Sequence, residues 1–330
     1  SAGAFHSVLS REVAFLVNNL LFVGIAFATF WGTIFPLVSE ALWNEKTTVG
    51  PPFFNQVNGP LFLALMVLMG VGPLLAWGRT APGTLFRSAR APVVASALVA
   101  GLLWLAGLQK LGSIAGMAAC TFVLGTIAIE YARGIRARRR ATREPPLTAL
   151  NNLLSRHPRR YGGYLVHLGV ALLAVGVTAS TFYQRDVEVA LAPGESASIG
   201  RYRLTYERIA QQMAPDHRLV FAQLTLHEGD RALGSLRPEK HFYRHWEDQP
   251  STVVAVTTTL PWLEDVYVFL AGWEPNGSAT FHIYVNPLVT FVWLGGAILL
   301  VGSVITMWPR MRPERQPAHR PLPEAVAHEV

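Results

Sequence analysis

Arg159-Arg-Tyr-Gly-Gly-Tyr-Leu-Val-His-Leu-Gly-Val-Ala-Leu-Leu-Ala-Val-Gly-Val-Thr-Ala-Ser-Thr-Phe182, running straight into Tyr-Gln-Arg-Asp186-Val-Glu-Val-Ala-Leu191, is the stretch on which the fold turns. From Gly162 to Phe182 it is almost wholly apolar, and about 20 such residues rising 1.5 Å each cross a ~30 Å hydrocarbon core. Four residues later the period changes to two: Val187, Val189 and Leu191 alternate with polar or small neighbours, the pattern of a half-buried strand. A membrane helix hands the chain to a β domain.

Outward from that junction, both patterns extend. Tyr202 to Tyr206, Leu219 to Leu226, Thr252 to Thr257, Val266 to Leu270 and Thr280 to Val285 read as further strands, with His227-Glu-Gly-Asp230 as a hairpin turn. They predict a small β-sandwich or barrel over 183–286. Pro287 to Trp308 returns to a membrane span. On the other side Val13 to Val38, Gly59 to Trp77, Pro92 to Leu108 and Leu111 to Tyr131 are spans as well, so the fold class is a membrane α-helical bundle of about six transmembrane helices with an inserted all-β domain. The third span is the weakest: the Gln109-Lys110 turn is short enough for a helical hairpin that dips instead of crossing. Pro36 and Pro73 are expected to kink the first two helices. The segments are thus 1–12, a four-helix membrane region 13–132, an Arg-rich loop 133–160, a helix 161–182, the β domain, a last helix 287–308 and a tail 309–330. The Arg-rich loop and the tail, with Pro309, Pro313, Pro317, Pro321 and Pro323, are expected to be flexible.

Composition agrees with a membrane protein. Of 330 residues 51% are hydrophobic and 15% charged, with a mean hydropathy of +0.30. The single cysteine, Cys120, excludes an internal disulfide, a CxxC redox pair, a Cys-rich zinc site and a CxxCH haem attachment. The net charge of +7 is local: Arg133 to Arg160 holds nine arginines and one glutamate, so the remainder is slightly negative. A basic cytoplasmic loop accounts for it without a nucleic acid partner. Arg79, Arg87 and Arg90, the nine loop arginines, and Arg310, Arg312, Arg315 and Arg320 fall on one side if six segments span. That side is the cytoplasm, holding both termini, and the β domain and the Ser39 to Gln56 loop, with Glu40 and Glu45 against Lys46, lie outside. Because the chain opens at Ser1 and Val13 follows too closely for a cleaved signal peptide, it is expected to be a fragment or a processed chain.

His167 is the one histidine inside a span, about six residues or ~9 Å from the cytoplasmic end of its helix. An ionisable residue there is either functional or hydrogen-bonded to a neighbouring helix, and position alone leaves both open. Gly163, Val170, Ala171, Ala174 and Thr178 share its face and are nearly all small, so a flat macrocycle fits against it. Gly162, Gly169 and Gly176 form a heptad stripe on the opposite side, assigned to helix packing. If the macrocycle is haem, His167 supplies one axial nitrogen and the iron needs a second ligand, usually His or Met, to carry electrons. Arg160, seven residues earlier on that face, is either a propionate partner or a positive-inside anchor. His241 and His245, at i and i+4 on a strand, stand ~13 Å apart, too far for one metal without a bulge. His217 and His227 read as loop and turn residues, His6 as solvated, and Glu130 with Arg133 as a helix-end pair. Asn18 and Asn19 in the first span require amide partners from another helix, which predicts that this helix is buried in a bundle. P-loop, GxGxxG, HExxH and GxSxG signatures are absent, and the spans hold almost no acidic residue apart from Glu12 and Glu130 at their ends, which disfavours a transporter.

Several segments together carry a family likeness. Ser10-Arg-Glu12 followed by Asn18-Asn19, Val49-Gly-Pro-Pro-Phe-Phe-Asn55, Gly70-Val-Gly-Pro-Leu74 with Trp77-Gly78, Arg159 to Gly169, Pro238-Glu-Lys240 ahead of Tyr243, and Ser278-Ala-Thr-Phe-His-Ile-Tyr-Val-Asn-Pro287 occur in this order. From about Ser7 to Trp308 the chain resembles the C-terminal half of the CcmF family, the large membrane subunits of bacterial cytochrome c maturation. The resemblance implies an inner-membrane haem lyase component that works with a haem chaperone and thiol-handling subunits to join haem to apocytochrome c on the periplasmic side. It also implies a non-covalent b-type haem, reduced by quinol, with His167 matching one axial ligand. The family's Trp-rich haem platform, its two flanking histidines and the other membrane haem ligand lie in the half that precedes Ser10. The second ligand is therefore expected outside this chain, which reads as a split subunit or a fragment. A non-catalytic assembly scaffold is the alternative function. Partners expected are the N-terminal half, the chaperone, apocytochrome c, quinol and membrane lipid.

Overall fold

In the computed structural model, residues 9–244, 249–259 and 263–307 are described. Seven α-helices and ten strands follow the order α1 (Arg11–Trp43), α2 (Pro51–Val71), α3 (Pro82–Leu105), α4 (Leu111–Thr142), α5 (Pro146–Arg156), α6 (Pro158–Tyr183), ten strands, then α7 (Thr290–Met307). Six of the helices, all but α5, are long and apolar enough to cross a bilayer. The chain is a membrane helical bundle with a β-sandwich inserted between its last two spans. His6, His245, the tail prolines and Arg310, Arg312, Arg315 and Arg320 lie outside the described residues.

Helix ends explain most departures from the sequence expectations. Ser10 caps α1, its hydroxyl accepting from the Val13 N–H at 3.3 Å, as an N-cap serine does for an orphan donor. α1 continues through Pro36 to Trp43. Pro73 does not kink α2: the helix has already ended at Val71, and Gly72–Leu74 forms one 3-10 turn. α3 begins at Pro82, ten residues before the apolar run, and its 24 residues suffice for a full crossing. It lies along α4, where a Cβ on Gly125 would stand 3.3 Å from Pro92.

The expected Arg-rich loop is largely helical. α4 continues to Thr142, α5 occupies Pro146–Arg156, and α6 starts at Pro158. Arginine and alanine are good helix formers, Arg133 to Thr142 contains no proline, and Arg139 and Arg140 in the last turn oppose the negative end of the macrodipole. Glu144 pairs with Arg138 and accepts from Asn152 at 2.9 Å, closing the α4–α5 corner.

The glycine stripe of α6 meets a second one on α7. A Cβ on Gly169 would lie 2.5 Å from the Leu299 nitrogen, and one on Gly295 2.5 Å from the Leu173 nitrogen. Gly176 against Val292 and Gly302 against Val166 are nearly as close, at 2.8 and 2.7 Å. Only glycine permits this approach, and in lipid, close van der Waals packing is what holds helices together. α1 is the opposite case. Asn58 of α2 donates to Thr29 at 3.1 Å, but Asn18 is half-buried and Asn19 exposed. Within the described residues α1 packs on α2 and leaves Phe15, Leu20, Phe27 and Trp31 uncovered, so the burial expected from its asparagines is not supplied by this chain.

The β domain has ten strands, β1 (Arg185–Leu191), β2 (Ser196–Ile199), β3 (Tyr202–Met213), β4 (His217–Glu228), β5 (Arg231–Leu236), β6 (Glu239–Tyr243), β7 (Ser251–Val253), β8 (Ala255–Thr259), β9 (Glu264–Trp273) and β10 (Ala279–Pro287). One sheet runs β1-β10-β9-β8 and the other β2-β3-β4-β6-β7, with β5 also on β4. Alternating residues from both sheets, among them Tyr202, Leu204, Tyr206, Leu224, Val266, Val268, Phe281 and Ile283, make one core. β2, β5 and β6 were not expected, being short, and β5 and β6 share β4 as their partner. β1 pairs with β10 from Arg185↔Val285 onward, and Gln184 donates to Asn286 at 2.7 Å. The chain thus leaves and re-enters the helical region on neighbouring strands, which sets α6 beside α7.

Candidate functional site

α6 has three sides. At ~100° per residue the glycine stripe Gly162, Gly169 and Gly176 faces α7, while Ala171 and Thr178 lie ~20–40° to one side of His167 and Gly163, Val170 and Ala174 ~20–60° to the other. The first side is closed: Ala171 is fully buried in a cluster with Val123 and Ile127 of α4, and Thr178 stands 3.0 Å from where a Cβ on Gly116 would be. The second is open: a Cβ on Gly163 would meet nothing within 4 Å, and Val170 and Ala174 are only partly covered. His167 sits at the border. Its Nδ1 is buried with no hydrogen-bond partner among the described residues.

Of the five residues assigned to a cofactor, three keep to one surface. His167, Gly163 and Ala174 line the open side. Ala171 does not, because α4 packs directly on it. Arg160 is held by a carboxylate: its Nη2 is 2.9 Å from Glu130 Oε2, and its Nε donates to the Tyr164 hydroxyl at 3.3 Å. Arg160 therefore already has a carboxylate partner within the chain, while its side chain stays 60% exposed.

Glu130 is the residue whose role the sequence understated. It is 6% exposed, takes Arg133 at 3.0 Å on Oε1, and accepts from Tyr164 at 3.3 Å on the oxygen that holds Arg160. A buried carboxylate needs such partners. Tyr131, Tyr161 and Tyr164 pack around it with ring centroids 5.5 to 6.0 Å apart, and the Tyr131 hydroxyl donates to the Tyr161 carbonyl at 2.6 Å. The i, i+3 pair with Arg133 was legible; the partners 30 and more residues away were not, although three tyrosines flanking the arginines were a clue. This hub ties α4 to α6 one turn from His167.

In the β domain, His217 and His241 form a pair. Their rings stack with centroids 4.6 Å apart, and each is bound to a carboxylate at 2.7 Å, His217 to Asp216 and His241 to Glu239. His217 is therefore not a loop residue but the start of β4, with His241 of β6 stacked on it across the strands; His245 lies outside the described residues. The contact with His217 holds the Asp216 carboxyl below its ordinary range. No group of three or more metal-capable side chains occurs among the described residues. Near the membrane end of the sandwich, burial first and then Glu264 push the Tyr202 phenol up to about 12, and its hydroxyl donates to Glu264 at 2.8 Å.

The chain is similar to known proteins in sequence and fold. Residues 182–287 match the family described as CcmF C-terminal beta-sandwich. Over 91% of its length the chain is 28% identical to the cytochrome c-type biogenesis protein CcmF of Pseudomonas aeruginosa, covering 44% of it. It is 29% identical to CycK of Rhizobium meliloti over 99% of its length and 48% of that protein, and 27% identical to CcmF of Escherichia coli over 97% and 47%. A solved structure titled Cytochrome c Heme Lyase CcmF superposes with a TM-score of 0.73 at 28% identity, covering 92% of this chain and 46% of that one. The chain spans about half the length of the curated relatives it matches.

Proposed function

We propose, from the correspondence of this chain to the C-terminal part of CcmF, that it is a component of a cytochrome c maturation haem lyase and contributes one axial ligand to a b-type haem within the membrane. The observation that carries the ligand role is His167: a partly covered imidazole inside a span, beside the open flank at Gly163, with a ring nitrogen that has no hydrogen-bond partner among the described residues.

When bound, the haem would supply one-electron transfer. This chain's part is to hold it. His167 offers the nitrogen, Gly163 and Ala174 give a flat neighbour room, and α4 behind Ala171 keeps His167 in place. A second ligand would come from the part of the longer relatives that this chain does not match. In this reading the arginine-bearing side is cytoplasmic and the β domain periplasmic. Quinol is the electron source, haem iron is reduced before thioether attachment to apocytochrome c, and the β domain receives the haem chaperone, apocytochrome or thiol-handling subunits. No residue of this chain is assigned as acid, base or nucleophile for the attachment itself.

The test is the absorption spectrum of detergent-purified protein, oxidised and dithionite-reduced, co-purified with its companion half. Wild type is expected to show a reduced b-type spectrum, and His167→Ala to lose or shift it while eluting as a folded protein. An unchanged spectrum in the variant removes the ligand assignment. A well-folded wild-type complex without haem makes the chain a scaffold for cytochrome assembly.

A further inference from the structure

We infer that the extension of α4 beyond its apolar span carries a binding site for the phosphate headgroups of anionic phospholipids, formed by Arg136, Arg139, Arg140 and Arg143. About 20 residues take α4 from Leu111 to Tyr131, enough for one crossing, yet the helix continues to Thr142. Two of the arginines past that point are neutralised, Arg133 by Glu130 and Arg138 by Glu144. The other four recur at i, i+3, i+4 and i+7, one helix face, and line an open cavity of about 400 Å³ to which no acidic residue contributes.

Ordinary helix-end electrostatics explains only part of this cluster. Cations in the last turn are favoured by the macrodipole, which covers Arg139 and Arg140. It does not explain Arg136, two turns from the end, nor Arg143, which caps the helix in the left-handed region at a φ of 56°. That conformation is strained for an L-residue with a β-carbon and is usually left to glycine or asparagine. Here it places a fourth guanidinium beside three others. Like charges so gathered repel unless an anion joins them, and the guanidinium fork matches phosphate oxygens two at a time.

Position selects lipid over a soluble anion. Arg136 is five residues past Tyr131, about 7–8 Å along the axis, at the outer edge of the headgroup layer, while Arg139, Arg140 and Arg143 follow at about 12, 14 and 18 Å and meet a headgroup only by reaching back along the helix. Helical side chains tilt toward the N-terminus of their helix, here back toward the bilayer. Two bulky apolar residues are exposed nearby. Phe86 of α3 is 73% exposed, two residues before Ser88, whose hydroxyl meets Arg133 at 3.3 Å, and Leu147, four residues after Arg143, is 80% exposed. Arginines beside an uncovered Phe and Leu are the composition of a membrane interface.

The experiment uses the intact chain in uncharged detergent, titrated with phosphatidylglycerol, phosphatidylcholine of the same tails, or inorganic phosphate, with bound lipid read by native mass spectrometry. Phosphatidylglycerol is expected to bind and the other two not to compete with it. R136Q/R139Q/R140Q/R143Q is expected to weaken that binding at least about tenfold, while R79Q/R87Q/R90Q, just before α3 and in its first turns, changes it less than about twofold. Equal binding to the quadruple variant, or equal weakening by the triple one, overturns the site. Displacement by inorganic phosphate over the same concentration range makes it a free-anion site and overturns the lipid assignment. If the quadruple variant does not fold, the three-ligand comparison on wild type decides: preference for phosphatidylglycerol sustains the proposal and indifference overturns it.

Discussion

The β-sandwich and the helical region bury their apolar residues by different rules. In the sandwich Leu204, Tyr206, Leu224, Val268, Phe281 and Ile283 are wholly inaccessible, because sheets in water must hide one face against another. In the helices Phe22, Phe27, Phe30 and Trp31 of α1 stand open, because lipid is as apolar as they are and association there depends on close backbone approach. Large side chains hold the first region together. In the second, the absence of side chains does so along the α6–α7 seam.

Substitutions that exchange the two rules should break this contrast. Gly295→Leu is expected to have the largest effect: any β-carbon there meets backbone at 2.5 Å, so α6 and α7 must separate, and size-exclusion chromatography should show aggregated or unfolded protein. Phe281→Ala, in the sandwich core, should cost about 3–5 kcal/mol in denaturant unfolding followed by tryptophan fluorescence. The same truncation at Phe27, 65% exposed on α1, should cost under about 1 kcal/mol; equal losses would mean that α1 is packed against something. The smallest effect is electrostatic. Asp216 is held below its ordinary carboxyl range by His217, so its contribution to stability is complete above about pH 4 and is lost as pH falls through the depressed value. Asp216→Asn should therefore lower the sandwich's unfolding temperature slightly near neutrality and make it less sensitive to acid, the two proteins converging as pH falls below the depressed value.

Reading the sequence worked where the signal is periodic. The apolar runs, the switch to alternation at Asp186 and the heptad of Gly162, Gly169 and Gly176 each follow from geometry repeated along one element, so neighbours in sequence carry the information. It also isolated His167, since a lone histidine in a span is conspicuous. It failed where partners are distant. The partner of Arg160 within the chain was not legible, because Glu130 is 30 residues away on another helix. Ala171 and Ala174 are equivalent by spacing, yet only one lies under α4. His217 and His241 share a stack through the register of β4 and β6, in which Leu219 faces His241, and a register is invisible in either strand alone.

By itself, then, the sequence determined the number of membrane-capable helices, the existence and place of the β domain, the side of α6 given to packing and the one intramembrane histidine. Those are properties of hydrophobic length and period, which each segment carries within itself. Only the tertiary structure decided which partner each charged or aromatic group meets: Glu130 for Arg160, α7 for the glycine stripe, His241 for His217, and an open flank at Gly163 rather than at Ala171. These are choices among chemically equivalent partners, and what selects between them is the distance at which two separately specified elements come to rest.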